Sequence, residues 1–224
     1  LAAERGYRCV IVMPSNMSEE RKKTLEYYGA ELIEVPAGEF DTAISLRDKL
    51  AEENGWFNCN QFANPLNIES HRETTAKEIL KDVNYGKSWF KTVNAFVTGT
   101  GTGGTLMGAG LELKKHIPII KIVAVEPEES PVMSGGEPGL HGIQGIGDGS
   151  KFLVDLKDVN EIMVVSTEDA KNRAKRLAKE HGLFVGISAG SNILAAERWI
   201  EKNNPSGIVV TFLCDRGDRY FSCL

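Results

Sequence analysis

Short runs of β-branched and other apolar residues recur along this 224-residue chain, each followed by a stretch with helical spacing. The runs are "CVIVMP" (9–14), "ELIEVP" (31–36), "AFVTG" (95–99), "KIVAVEP" (121–127), "EIMVVS" (161–166), "LFVGIS" (183–188) and "GIVVTFLCD" (207–215). Helices are expected between them: from a Ser18 cap to Tyr28, and over 42–54, 71–83, 104–116, a stretch opened by the capping-box-like "STED", and 190–202. Strands that are apolar throughout, alternating with helices, read as parallel sheets covered on both faces. The expected fold is therefore α/β, with ligands gathered beyond the carboxyl ends of the strands. The segment "NQFANPLN" (60–67) marks a boundary, giving expected domains 1–64 and 65–224.

Composition narrows the function classes. With 26 basic against 31 acidic residues the net charge is −5, and no basic cluster offers a nucleic-acid footprint. The apolar runs are too short to cross a bilayer, and no secretory segment opens the chain. Cys9, Cys59, Cys214 and Cys223 form no CxxC pair, so neither a metal site nor a disulfide framework is expected. Reduced thiols in a cytoplasmic protein are the plain reading, with Cys9 and Cys214 buried in strands as small hydrophobes. "LAAERGY" reads as the last turns of a helix already under way, and "RYFSCL" lacks a closing element, so the chain is expected to be a piece of a longer one.

The segment "VTGTGTGGTLMGAG" (97–110) joins a strand to a helix through unusually bare backbone. Gly99, Gly101 and Gly104 satisfy GxGxxG, and Glu126 ends the next strand where a ribose-binding acid belongs, so a nicotinamide dinucleotide is one candidate ligand. The denser "GTGGT" instead suits one compact phosphate: successive unobstructed N–H groups, the hydroxyls of Thr102 and Thr105, and a helix dipole behind them. The loop composition favours the phosphate. Residues 128–150 carry Gly135, Gly136, Gly139, Gly142, Gly145, Gly147 and Gly149, and so long a loop is usually functional.

Four motifs, "NQFANPLN", "GTGTGGTLMG", "VEPEESPVMSGGEPGLHGIQGIGDG" and "FVGISAGSN", stand in the order and separation of the cysteine synthase family. The chain resembles these pyridoxal-phosphate enzymes of the tryptophan-synthase-β fold type over essentially its whole length. The resemblance implies two open twisted, mostly parallel sheets flanked by helices, with the N-terminal domain incomplete. It implies a pyridoxal 5′-phosphate cofactor, its phosphate held by Gly101, Thr102, Gly103, Gly104 and Thr105 and its pyridine nitrogen facing Ser188. A neutral hydroxyl at that nitrogen gives a shallower electron sink than a carboxylate, which suits elimination at Cβ. Gln61 falls where the family places an amide near the substrate carboxylate, and Gln144, Gly145, Ile146 and Gly147 fall in its flexible cleft loop. The family's Schiff-base lysine is expected upstream of Leu1. Lys22 and Lys23 read as exposed on a helix, Lys77 and Lys81 as part of a charged amphipathic pattern, and none matches that motif. No catalytic residue is therefore assigned within this chain, no metal is expected, and the piece alone is expected to be inactive.

The expected activity of the parent is β-replacement, L-cysteine from O-acetyl-L-serine and sulfide. Alternatives are a cystathionine β-synthase-like reaction, a nicotinamide oxidoreductase, and a non-catalytic paralogue. The resemblance also implies a homodimer, docking of the C-terminal tail of serine acetyltransferase, and no nucleic-acid or membrane partner.

Overall fold

The computed structural model describes residues 1–86 and 92–224, which form two compact units, Leu1–Cys59 with Gly217–Leu224, and Asn60–Arg216. The division falls between residues 59 and 60, and residues 217–224 group with the first unit instead of the second. Hydrogen bonds explain the regrouping: the Glu20 carboxylate accepts from the Ser222 N–H at 2.9 Å and from its hydroxyl at 2.7 Å.

The first unit runs α1 (Ala2–Arg5), β1 (Val10–Pro14), α2 (Glu19–Tyr27), β2 (Glu31–Val35) and α3 (Phe40–Asn54). Strands β1 and β2 pair in parallel, Val10 opposite Glu31. Ser18 occupies the N-cap of α2, and Gly29 follows it with φ +79°, the left-handed conformation that ends a helix without a Cβ penalty.

The second unit comprises α4 (Pro65–Glu73), α5 (Thr75–Asp82), β3 (Val93–Gly99), α6 (Gly104–His116), β4 (Lys121–Pro127), β5 (Glu161–Val165), α7 (Thr167–His181), α8 (Ile187–Asn203) and β6 (Ile208–Thr211). Its strands form one parallel sheet in the order β5-β4-β3-β6. Residues 122–127 of β4 are all buried; since side chains alternate between faces, the sheet is covered on both sides. Phe96, Ile122 and Ala124 pack with Ala76, Leu80, Leu106 and Leu113 from α5 and α6, and α8 touches all four strands.

Three local expectations fail. The helix expected over 71–83 is two helices: Asn64 caps the first, its side chain accepting from the Leu66 N–H at 3.0 Å with Pro65 at the first position, and the chain breaks at Thr74. The run 183–188 is not a strand. Val185 makes only an isolated antiparallel bridge to Arg216, and α8 begins at Ile187, so Ser188 lies inside its first turn. Strand β6 stops at Thr211, which leaves Cys214 beyond it and exposed, while Cys9 precedes β1 and is half-buried.

Candidate active site

Thr100 leaves the end of β3 with its N–H donating to the Val125 carbonyl at 3.1 Å, and the chain then turns through residues 101–103 into α6. Gly103 is the N-cap, in the left-handed region at φ +88°. The N–H groups of Gly101, Thr102, Gly103 and Thr105 have no acceptor among the described residues. They sit at the positive end of a 13-residue helix whose first turn carries no acid. The Thr102 oxygen accepts from Asn67 Nδ2 at 2.9 Å and from the Gly104 N–H at 3.2 Å. With both lone pairs occupied, its own proton remains available to a ligand. Unpaired amides, a free hydroxyl proton and a helix N-terminus together fit a phosphate group.

Helix α4 shapes this cradle, and sequence reading missed it. Asn67 and His71 are four residues apart and share a face. Asn67 also donates to the Gln61 carbonyl at 2.9 Å, which brings the Gln61 backbone beside Thr102, although the Gln61 residue is exposed. His71 Nε2 lies 3.2 Å from the Thr105 hydroxyl, and its Nδ1 lies 2.9 Å from that of Thr75. Burial lowers the His71 pKa, so the ring is a neutral link. The signal was present in "NPLN", an Asn cap followed by Pro at the first helical position, which moves the helix start back to residue 65.

The segment 144–147 lies along the same turn. A Cβ on Gly101 would stand 2.5 Å from the Gly145 carbonyl, one on Gly99 would stand 2.6 Å from Ile146, and the Gly147 N–H donates to the Thr100 carbonyl at 2.9 Å. Gln144 and Ile146 are buried. His141 fixes the loop's return: its Nδ1 accepts from the Ile143 N–H at 3.2 Å, and its Nε2 donates to the Gly147 carbonyl at 3.0 Å. Burial, partly offset by that carbonyl, lowers its pKa, which keeps the ring neutral.

Ser188 is 4% exposed on the first turn of α8. Its hydroxyl interacts with the Cys214 thiol; that residue is exposed as a whole, but its sulfur is desolvated, and this first and the Asp215 carboxylate second raise the thiol pKa, so the sulfur stays protonated. A neutral hydroxyl here fits a neutral ring nitrogen. One turn on, Asn192 connects this wall to β3 by accepting from the Gly99 N–H at 2.7 Å.

Glu126 faces elsewhere. It is 2% exposed and accepts from the Met133 N–H at 2.7 Å, the Ser134 N–H at 2.9 Å and the Ser134 hydroxyl. A buried carboxylate that already takes three donors from its own following turn is committed there and not to a ribose, which removes the reason for a dinucleotide. Two of the lysines considered as covalent anchors, Lys22 and Lys77, are salt-bridged. Lys22 is half-buried, contrary to expectation, and donates to Ser15 O and Glu34; Lys77 pairs with Glu73. These carboxylates raise both lysine pKa values, the reverse of what a nucleophilic amine needs.

Residues 1–215 match the family described as pyridoxal-phosphate dependent enzyme. Cysteine synthase of Staphylococcus aureus strain Mu50 is 43% identical, over 99% of this chain and 71% of that protein. The crystal structure of an Entamoeba histolytica cysteine synthase aligns with TM-score 0.86 at 38% identity, covering 99% of this chain and 65% of that one. That of the O-acetylserine dependent cystathionine β-synthase of Helicobacter pylori aligns with TM-score 0.90 at 32% identity, covering 99% and 71%.

Proposed function

Since this chain belongs to the pyridoxal-phosphate-dependent enzymes, and among them to the cysteine synthases, we propose that its glycine loop holds the cofactor phosphate during synthesis of L-cysteine from O-acetyl-L-serine and sulfide. The cofactor is pyridoxal phosphate and the activity is cysteine synthesis. The single observation that carries the site assignment is the set of unpaired amides at residues 101–103 and 105, aimed from the start of α6.

When bound, pyridoxal phosphate supplies the electron sink that lets an amino acid lose its α-proton and its β-leaving group. The protein's part is binding and positioning. Gly101, Thr102, Gly103, Gly104 and Thr105 grip the phosphate, Gly103 and Gly104 supplying backbone room and Thr102 a hydroxyl proton. Ser188 meets the ring nitrogen as a neutral partner, and the protonated Cys214 thiol beside it adds no negative charge. Gln61 donates to the substrate carboxylate without bringing charge. Gln144, Gly145, Ile146 and Gly147 line the leaving-group and nucleophile side of the cleft. The family resemblance assigns the covalent anchor to a lysine upstream of Leu1, and the raised pKa values of Lys22 and Lys77 fit neither for that role.

O-acetyl-L-serine as donor is supported by the named donor of the Helicobacter pylori relative. A homodimer, a cytoplasmic location and docking of a serine acetyltransferase tail follow from the family resemblance. No helix among the described residues is long and apolar enough to cross a membrane.

Two measurements test the reading. Binding of pyridoxine 5′-phosphate, which lacks the reactive aldehyde, reads the non-covalent cradle alone, and saturable binding abolished by substitutions in residues 101–105 is expected. With the parent protein, cysteine formation is compared for O-acetyl-L-serine and O-phospho-L-serine as donors, and for sulfide and homocysteine as acceptors. Preference for homocysteine contradicts the cysteine synthase assignment, and preference for O-phospho-L-serine contradicts the donor.

A further inference from the structure

We propose that Asn192 is a positioning residue that fixes the spacing between the phosphate cradle and the wall facing the ring nitrogen, so that a ligand filling both ends is selected over one filling the cradle alone. The inference rests on the cofactor reading above and concerns a residue that touches neither end of the ligand.

Asn192 is fully buried on α8 and uses its amide in three directions. Its Oδ1 accepts from the Gly99 N–H at 2.7 Å, at the last residue of β3 before the cradle. Its Nδ2 donates to the Phe212 carbonyl at 3.0 Å, just past β6, and to the Cys214 sulfur at 3.3 Å. The partners dictate the amide's orientation, since an N–H needs the oxygen and a carbonyl needs the NH₂. Ser188 lies four residues earlier on the same helix face and bears on that same sulfur. One side chain of α8 thus joins the ends of β3 and β6, one turn on from Ser188. Gly99 confirms how close the fit is: a Cβ there would stand 3.1 Å from Asn192 Oδ1 and 2.6 Å from Ile146. The β3–β6 pairing stops at Val97 and Thr211, short of both residues that Asn192 connects. Beyond the last ladder rung, the side chain continues the sheet's work where the ligand is held.

A buried amide removed from three partners leaves a main-chain donor and acceptor without satisfaction, an effect large enough to measure. The test uses the whole chain with two probes, inorganic phosphate for the cradle and pyridoxine 5′-phosphate for both ends, on wild type, Asn192→Ala, Asn192→Asp and Cys214→Ala. Wild type is expected to prefer pyridoxine 5′-phosphate strongly. Asn192→Ala should reduce that preference about tenfold or more, and Cys214→Ala, which removes one arm, only about threefold. Asn192→Asp keeps the acceptor for Gly99 but sets a carboxylate oxygen against the Phe212 carbonyl, so it should fall nearer to Asn192→Ala than to wild type. A folded Asn192→Ala protein with an unchanged preference overturns the proposal. If that variant does not fold, the wild-type chain decides: inorganic phosphate alone should shift the Asn192 side-chain amide resonances, and unmoved resonances at phosphate saturation overturn it. Wild type binding neither probe contradicts the cofactor reading itself, a result separate from either of those.

Discussion

Two glycine-rich segments meet in this molecule, and Gly101 and Gly104 in one are there for a different reason from Gly149 in the other. In the cradle, a Cβ on Gly104 would fall 1.9 Å from Asn67 Oδ1 and one on Gly101 would fall 2.5 Å from the Gly145 carbonyl. Neighbouring atoms already occupy that space. In the long loop, Gly149 has nothing within 4 Å of its Cβ position but adopts φ +82°. There the backbone direction alone excludes other residues. Gly101 and Gly104 are built against their surroundings, so a change there propagates to the ligand; Gly149 only steers the chain, so a change there costs local conformational energy. Other glycines of the long loop are crowded as the cradle is, Gly139 against the Glu129 carbonyl and Gly147 against Pro127.

Substitutions can break this contrast. The largest effect is expected for Gly101→Ala, where the nearest colliding group, the Gly145 carbonyl, is backbone and cannot rotate away. A cost of about 3 kcal/mol, or roughly a hundredfold in phosphate affinity, is expected by titration with pyridoxine 5′-phosphate. Gly104→Ala should also be damaging, but its three nearest obstacles are all Asn67 side-chain atoms. In an Asn67→Ala background the same substitution should become close to neutral for stability, since alanine is favoured over glycine inside a helix by about 1 kcal/mol. A double-mutant cycle by chemical denaturation reads this coupling, and additive effects would contradict the packing account. Asn67→Ala alone leaves the Gln61 carbonyl without one donor and loosens Thr102, and a loss of about tenfold in phosphate affinity is expected.

A smaller effect concerns pH. Burial lowers the pKa values of His141 and His71, so below the ordinary histidine pKa of about 6.5 the unfolded chain takes up protons that the folded chain refuses. The stability contribution of the neutral rings is therefore complete above that pH and declines as the pH falls toward the lowered folded values. Thermal unfolding followed from roughly pH 7 to 5 should show this decline, and His141→Gln should make it shallower. The smallest effect is Gly149→Ala: about 1 kcal/mol of stability, measured by denaturant unfolding, with phosphate affinity within about twofold of wild type.

How legible each element was follows from where its information resides. Helix α6 was readable from end to end, because a glycine turn opens it and Lys114, Lys115 and His116 close it in its last turn. The Ser166 cap was readable from "STED", and its hydroxyl accepts from the Asp169 N–H at 3.2 Å. Helix α4 was not recognised because its apolar stripe is weak, and its stability comes from close approach to α6: a Cβ on Gly108 would stand 2.3 Å from the Ile68 carbonyl. Residues 183–186 have the composition of a strand, yet pairing requires a partner, and only Arg216 supplies a bridge. In the candidate site, the glycines and Ser188 were singled out through their motifs. Asn67 and Asn192 stand inside quoted motifs but were not singled out, because their roles depend on partners far away in sequence: Thr102 for one, and Gly99, Phe212 and Cys214 for the other.

The most direct test of the central claim follows the main-chain amide resonances of the chain while inorganic phosphate, and separately NAD, is added. The account predicts that Gly101, Thr102, Gly103 and Thr105 shift together and saturably with phosphate, while the resonances around Glu126 stay in place with either ligand. Stationary cradle amides under phosphate, with shifts at Glu126 on adding NAD, would contradict it.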